Sequence, residues 1–219
     1  MTATALPPPT PPHPLRLAVD LPSTSRNRLT VGLRFLWIVP IAIVLSAVSG
    51  GGSWSWSRPG GSTIVVVIAA GGFLFWAPLL LVLFRQKYPR WWFDWNLELL
   101  RFSNRVAVYA LLLDDRYPST DEAQGVHLDV PYPDAGRDLN RWLPLVKWFL
   151  AIPHYVVLAV LWLAGAVAVV IMWFAILFTG RPPSGFSEFL VGLVRWTDRV
   201  GAYAFLLVTD VYPPFRLSA

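Results

Sequence analysis

Arg101-Phe-Ser-Asn-Arg-Val-Ala-Val-Tyr-Ala110 and Arg195-Trp-Thr-Asp-Arg-Val-Gly-Ala-Tyr-Ala204 align without a gap at an offset of 94. Self-similarity at a fixed spacing is the mark of a repeated unit, and it organises the reading of the whole chain. In the first stretch Asp94, Glu98, Arg101 and Arg105 are spaced four, three and four apart, which places them on one face of a helix over Trp91 to Leu113. The second stretch repeats the stripe as Glu188, Arg195 and Arg199 on a helix over Phe186 to Val208, with Glu188 aligned to Asp94. Four charges on a lipid-facing span are costly, so both helices are expected to lie at the membrane interface.

Upstream, Trp37-Ile-Val-Pro40 aligns with Leu150-Ala-Ile-Pro153 at an offset of 113. Leu15-Arg-Leu-Ala-Val-Asp-Leu-Pro22 lies beside Val126-His-Leu-Asp-Val-Pro-Tyr-Pro133, and the alternation of Leu15, Leu17, Val19 and Leu21 reads as a short strand or extended arm. Each unit closes on an acid before Tyr-Pro: Asp115-Arg-Tyr-Pro118 and Asp210-Val-Tyr-Pro213. The units therefore span residues 15–118 and 126–215, joined by a linker over 119–125 and flanked by a Pro-rich, disordered tail over 1–14 and a short C-terminal tail over 216–219.

Between the arms and the striped helices the chain is apolar. Leu29 to Val48 and Thr63 to Phe84 are each long enough to cross a bilayer, with Pro40 kinking the first and Ser49 to Ser62 forming a Gly/Ser loop whose two Trp sit at the interface. Leu139 to Phe178 is twice as long as one crossing, so a turn is placed near Val160 to Gly165. The fold class expected is an all-α integral membrane protein of two tandem repeats. Each repeat holds an extended arm, a transmembrane helical hairpin and an amphipathic interfacial helix, giving about four transmembrane helices. Of the 18 Lys and Arg residues only Arg58 falls in a hairpin loop, so the positive-inside rule makes the chain a multi-pass plasma (inner) membrane protein with both termini cytoplasmic.

Composition agrees with lipid as solvent: 55% of the 219 residues are hydrophobic, 14% are charged and twelve are Trp. The net charge of +5 comes without Lys/Arg clusters, which favours anionic headgroups over nucleic acid. With no cysteine, disulfides, thiolate nucleophiles and Cys-ligated metals are excluded.

The stretch Asn140-Arg-Trp-Leu-Pro-Leu-Val-Lys-Trp-Phe-Leu-Ala-Ile-Pro-His-Tyr155, continuing through Trp173-Phe-Ala-Ile-Leu-Phe-Thr-Gly-Arg181 to Tyr203-Ala-Phe-Leu-Leu207 and Tyr212-Pro-Pro-Phe215, resembles a bacterial, largely actinobacterial membrane family, domain of unknown function 4389. The first half resembles it as a degenerate copy. It lacks the His-Tyr after Pro40 and has Arg-Gln-Lys where Thr-Gly-Arg stands. The resemblance implies a membrane location and a repeated fold, and no activity.

Candidate site residues are few. Arg101, Arg105, Arg195 and Arg199 are candidates for binding lipid headgroups or a protein partner; pairing with the acids of their own stripes is the plainer alternative. His154, the one histidine in an apolar segment, is an intramembrane polar candidate, against which stands a hydrogen bond to a carbonyl freed by Pro153 or a position at the headgroup level. Asp114-Asp115, Asp121-Glu122 and Asp134/Asp138 read as turn and cap residues. His13, His127 and His154 have no metal-ligand spacing, and no catalytic or cofactor motif is present, so neither metal nor cofactor is expected. The function expected is a non-enzymatic structural or accessory subunit, a scaffold with a cytoplasmic docking layer. Its partners would be membrane lipids and a protein partner or further copies of the chain, without nucleic acid. The alternatives are a lipid- or small-solute-handling transporter or channel component, and a membrane enzyme acting on lipid through His154.

Overall fold

The computed structural model describes residues 13–22, 26–49, 52–56, 64–68, 70–122 and 124–218. The chain begins in β1 (Arg16–Val19), followed by α1 (Arg28–Gly32) and α2 (Arg34–Val48). The Asn27 side chain accepts from the Leu29 amide at 3.0 Å and so caps α1. β2 (Gly52–Trp56) and β3 (Ile64–Ile68) form an antiparallel hairpin, and α3 (Ala70–Arg85) and α4 (Arg90–Ala110) follow. Then come β4 (Val126–Asp129), α5 (Pro144–Leu150), α6 (Ile152–Thr179) and α7 (Ser184–Ala204).

The matches between the two halves are specific. α4 and α7 are both 21 residues long and both start after a proline, Pro89 and Pro183. Gln86 (φ 46°) and Gly180 (φ 74°) end the preceding apolar helices in the left-handed region. Leu112 (φ 62°) and Leu207 (φ 56°) do the same just past α4 and α7. β1 and β4 pair antiparallel with Leu17 opposite Leu128, the residues that the arm alignment also sets side by side.

Three layers result, with α7 in the middle one and buried along most of its length. On one side α6 runs antiparallel to it: His154 lies against Trp196, and a Cβ at Gly165 would come within 2.9 Å of Leu193 and 3.5 Å of Leu190. On another side lie β1 and the C-terminal tail, where Arg195 reaches the Leu17 carbonyl and Leu217 covers Gly192. Towards α4, Asn104 meets Asp198. α4 stands in the same relation to α2, whose Ile41 packs with Phe102 and Val106. The outer faces of α2 and α6 carry exposed apolar side chains, Phe35, Leu36, Ile43, Val160, Leu163, Val167 and Phe178 among them. An apolar surface of that extent is a membrane or protein contact face.

Several expectations are corrected. The segment Val160 to Gly165 is not a turn: α6 runs unbroken for 28 residues, and Gly165 serves as the point where α7 approaches closely. Thr63 to Phe84 is not one helix, because the β-branched run Ile64–Ile68 is a strand and the helix starts at Ala70. The Ser49 to Ser62 loop contains the partner strand β2. Among the described residues one helix, α6, is long and apolar enough to cross a membrane, and only 22% of its most apolar stretch is buried, unlike the core helix of a soluble protein. The Pro-rich tail lies outside the described residues up to position 12, while His13 is buried in the body of the molecule.

Candidate functional site

The four arginines picked out by their spacing converge on one cavity of about 610 Å³. Its roof is the β1–β4 pair and its floor the charged faces of α4 and α7; Arg16, Arg216, His13, Glu98, Gln124, His127 and Asp129 complete the polar lining. Helix periodicity explains why Arg101 and Arg105, or Arg195 and Arg199, point the same way. Only the fold explains why both pairs point at the same place.

Each pair has a division of labour. Arg101 donates through Nε and Nη2 to the Leu128 carbonyl, both at 3.1 Å, and Arg195 donates through Nε to the Leu17 carbonyl at 3.0 Å. Each arginine thus clasps the arm of the opposite half. Arg105 and Arg199 hold the chain that follows their own helices, through the Ser119 and Thr120 carbonyls and the Arg216 and Ser218 carbonyls, and Arg195 adds a bond to the Leu217 carbonyl of the same tail at 3.1 Å. The Nε groups of both are buried without a hydrogen-bond partner.

Charge is poorly balanced here. Glu98 pairs with Arg101 at 2.6 Å, and Asp94 pairs outward with Arg90. Glu188 is exposed, and among the described residues no carboxylate lies within ion-pair distance of Arg105, Arg195 or Arg199. Burial lowers the Arg199 pKa, and Arg195 and Arg216 lower it further by repulsion. His13, which accepts from the Leu15 amide, is pulled down to about 4 by burial and by Arg199, so it is neutral at physiological pH. Arg105 and Arg199 are thus buried cations without a carboxylate in ion-pair reach among the described residues, a costly state that a bound anion would relieve.

Beneath the cavity, Asn104 Nδ2 donates to Asp198 Oδ2 at 2.8 Å, joining two residues that occupy the same alignment position. Burial pushes the Asp198 carboxyl up to about 7, against the hydrogen bond from Asn104.

Sequence reasoning missed a second pair of arrangements. Arg34 forms an ion pair with Asp115 at 2.5 Å, donates to the Tyr109 and Asp114 carbonyls, and stacks over the Tyr109 ring at 4.3 Å. Lys147 pairs with Asp210 at 2.6 Å, donates to the Thr209 carbonyl, and sits 5.1 Å over the Tyr203 ring. The signal was available: the offset of 113 that aligns Pro40 with Pro153 also aligns Arg34 with Lys147, and the two acids had already been matched before Tyr-Pro. These pairs lock the start of α2 or α5 to the end of α4 or α7. The reading of Asp115 as a turn residue is corrected accordingly, while Asp114, Asp134 and Asp138 do accept from nearby backbone amides.

His154 is fully buried and stacks on Phe215 at 3.9 Å, with Tyr212 and Trp196 around it. Its Nδ1 accepts from the Trp196 indole at 3.2 Å, so the expected hydrogen bond to a freed carbonyl is replaced by an aromatic box. His127 reaches Asp20 on the surface, and His13, His127 and His154 stay apart.

No curated protein and no solved structure matches the chain. Residues 141–216, which carry α5, α6, α7, Lys147, His154, Arg195, Arg199 and Asp210, match the family described as Domain of unknown function (DUF4389).

Proposed function

We propose that the chain is a non-enzymatic accessory protein of the plasma membrane, built from two tandem units about a pseudo-two-fold axis, which docks an anionic group in the arginine cavity on its cytoplasmic face. The observation that carries this reading is the set of arginines, Arg105 and Arg199 buried and Arg195 half-buried, lining one cavity with no carboxylate within ion-pair distance among the described residues. Matching geometry in both halves supports the tandem reading: equal helices, crossed arms and two locking ion pairs. The membrane location draws on α6 and on the apolar outer faces of α2 and α6. The cytoplasmic placement of the termini and of the arginine layer rests on the distribution of Lys and Arg.

Replacing Arg101, Arg105, Arg195 and Arg199 together by Gln should abolish binding of the purified chain to anionic vesicles, with the wild-type binding strongest at low salt. Lys at the same positions should restore part of it, since an ammonium lacks the guanidinium fork. Unchanged vesicle binding by a folded fourfold Gln variant would remove the reading. A second reading, lipid handling, draws on a groove of about 470 Å³ between α6 and α7, lined by Ala164, Val167, Ala168, Ile171, Phe186 and Phe189, which suits an acyl chain.

A further inference from the structure

Resting on the anion-docking reading, we infer that the natural occupant carries two phosphate groups, one held from the Arg101/Arg105 side and the other from the Arg195/Arg199 side. The cavity sits where the two halves meet. Leu17 pairs with Leu128 on its roof, Asn104 with Asp198 between the two helices that form its floor, and both contacts join aligned positions. Whatever one half offers a ligand, the other therefore offers again across the axis. The offers do match: an arginine committed to the opposite arm, and beside it a second whose Nε is buried and unpartnered.

Size and charge point the same way. A volume of about 610 Å³ lies within the range of roughly 300–1,000 Å³ that small-molecule sites occupy, more than one tetrahedral anion fills. Six arginines against Glu98 and Asp129 leave a surplus of four positive charges, of which one phosphodiester offsets one and two phosphodiesters offset half, so the two-phosphate ligand is the better compensated. A guanidinium fork pairs bidentately with phosphate as with carboxylate, and a tetrahedral phosphate offers acceptor oxygens to arginines that approach from several sides, which a planar carboxylate does less well. Two sources supply this chemistry: a lipid headgroup bearing two phosphodiesters, or a soluble diphosphate.

The test uses the full chain in neutral detergent. Titration calorimetry compares inorganic pyrophosphate with inorganic phosphate at equal ionic strength. Flotation compares vesicles containing a diphosphatidyl lipid with vesicles containing phosphatidylglycerol at equal phosphate content. One two-phosphate ligand per chain, bound at least tenfold more tightly than its one-phosphate counterpart in either arm, supports the inference, and the arm that shows it names the source. Equal affinity, with two single phosphates per chain, overturns the inference and leaves anion docking standing. No binding in any arm overturns both. Arg105→Gln and Arg199→Gln should each cost the tenfold preference. Because both side chains also hold backbone carbonyls, Arg16→Gln with Arg216→Gln, at exposed positions of the cavity wall, is the variant that keeps the fold and should weaken the two-phosphate ligand several-fold.

Discussion

Asp210→Asn should damage the protein more than Lys147→Met, although the two residues form one ion pair. The Lys147 side chain is 0% exposed and that of Asp210 20% exposed. Losing Asp210 strands an ammonium with one carbonyl and one ring for company, a loss of about 3–5 kcal/mol for a buried charge whose partner is removed. Losing Lys147 leaves a carboxylate that still accepts from the Asn140 amide at 2.6 Å and has access to water, so about 1–3 kcal/mol is expected. Roughly 2–4 °C per kcal/mol for a chain of this size turns these into drops of about 6–20 °C and 2–12 °C in Tm. The double variant removes both charges together and should be more stable than Asp210→Asn alone, by about 2 kcal/mol or more. Thermal unfolding in mild detergent, followed by far-ultraviolet circular dichroism, measures all four corners of the cycle. If Lys147→Met is as harmful as Asp210→Asn, or the double variant is no better than Asp210→Asn, the pair does not lock the start of α5 to the end of α7.

Three further outcomes are expected. Because the folded state holds a proton on Asp198 up to about pH 7, its favourable contribution is complete below pH 3.8 and lost as pH rises to about 7. Asp198→Asn, which copies Asn104, should therefore flatten the stability profile and add up to about 4 kcal/mol above pH 7, read by thermal unfolding at pH 5 and pH 8 against wild type. Gly192→Ala would bring a Cβ within 2.8 Å of Leu217 Cβ and 3.0 Å of its carbonyl, so the tail held by Arg199 should come away, at about 1–3 kcal/mol and with faster carboxypeptidase trimming; an unchanged trimming rate argues against that contact. Cys in place of Ser55 should react with an impermeant thiol reagent on intact cells and Cys in place of Ser119 should not, the opposite labelling overturning the proposed topology.

What the sequence makes legible follows from the range of the interactions. The striped helices Trp91 to Leu113 and Phe186 to Val208 match α4 and α7 to within a few residues, because helix spacing is a local property. Convergence of the four arginines was not readable, since it depends on β1 pairing with β4 more than a hundred residues away. The turn at Val160 to Gly165 is absent for a different reason: from Tyr155 to Phe178 the chain has no charged residue to mark a break, so composition cannot separate one long helix from two short ones. Gly165 looked like a break and is a packing notch for Leu190 and Leu193. Arg34 and Lys147 are isolated charges in apolar surroundings, and their partners, Asp115 and Asp210, follow 81 and 63 residues later.

The crossed arms govern the order in which the molecule is made. Residue 17 leaves the ribosome with its strand edge open, and its partner at 128 follows more than a hundred residues later, many seconds at roughly 5–20 residues per second. During that wait an exposed edge is a template for neighbouring nascent chains. The matched segment 141–216 contains neither β1 nor β4, so produced alone it would leave Arg195 without the Leu17 carbonyl. Half-made chains on one polysome, each with β1 exposed, have a ready way to satisfy each other by trading arms as β4 emerges, and a domain-swapped dimer is the misassembly to look for.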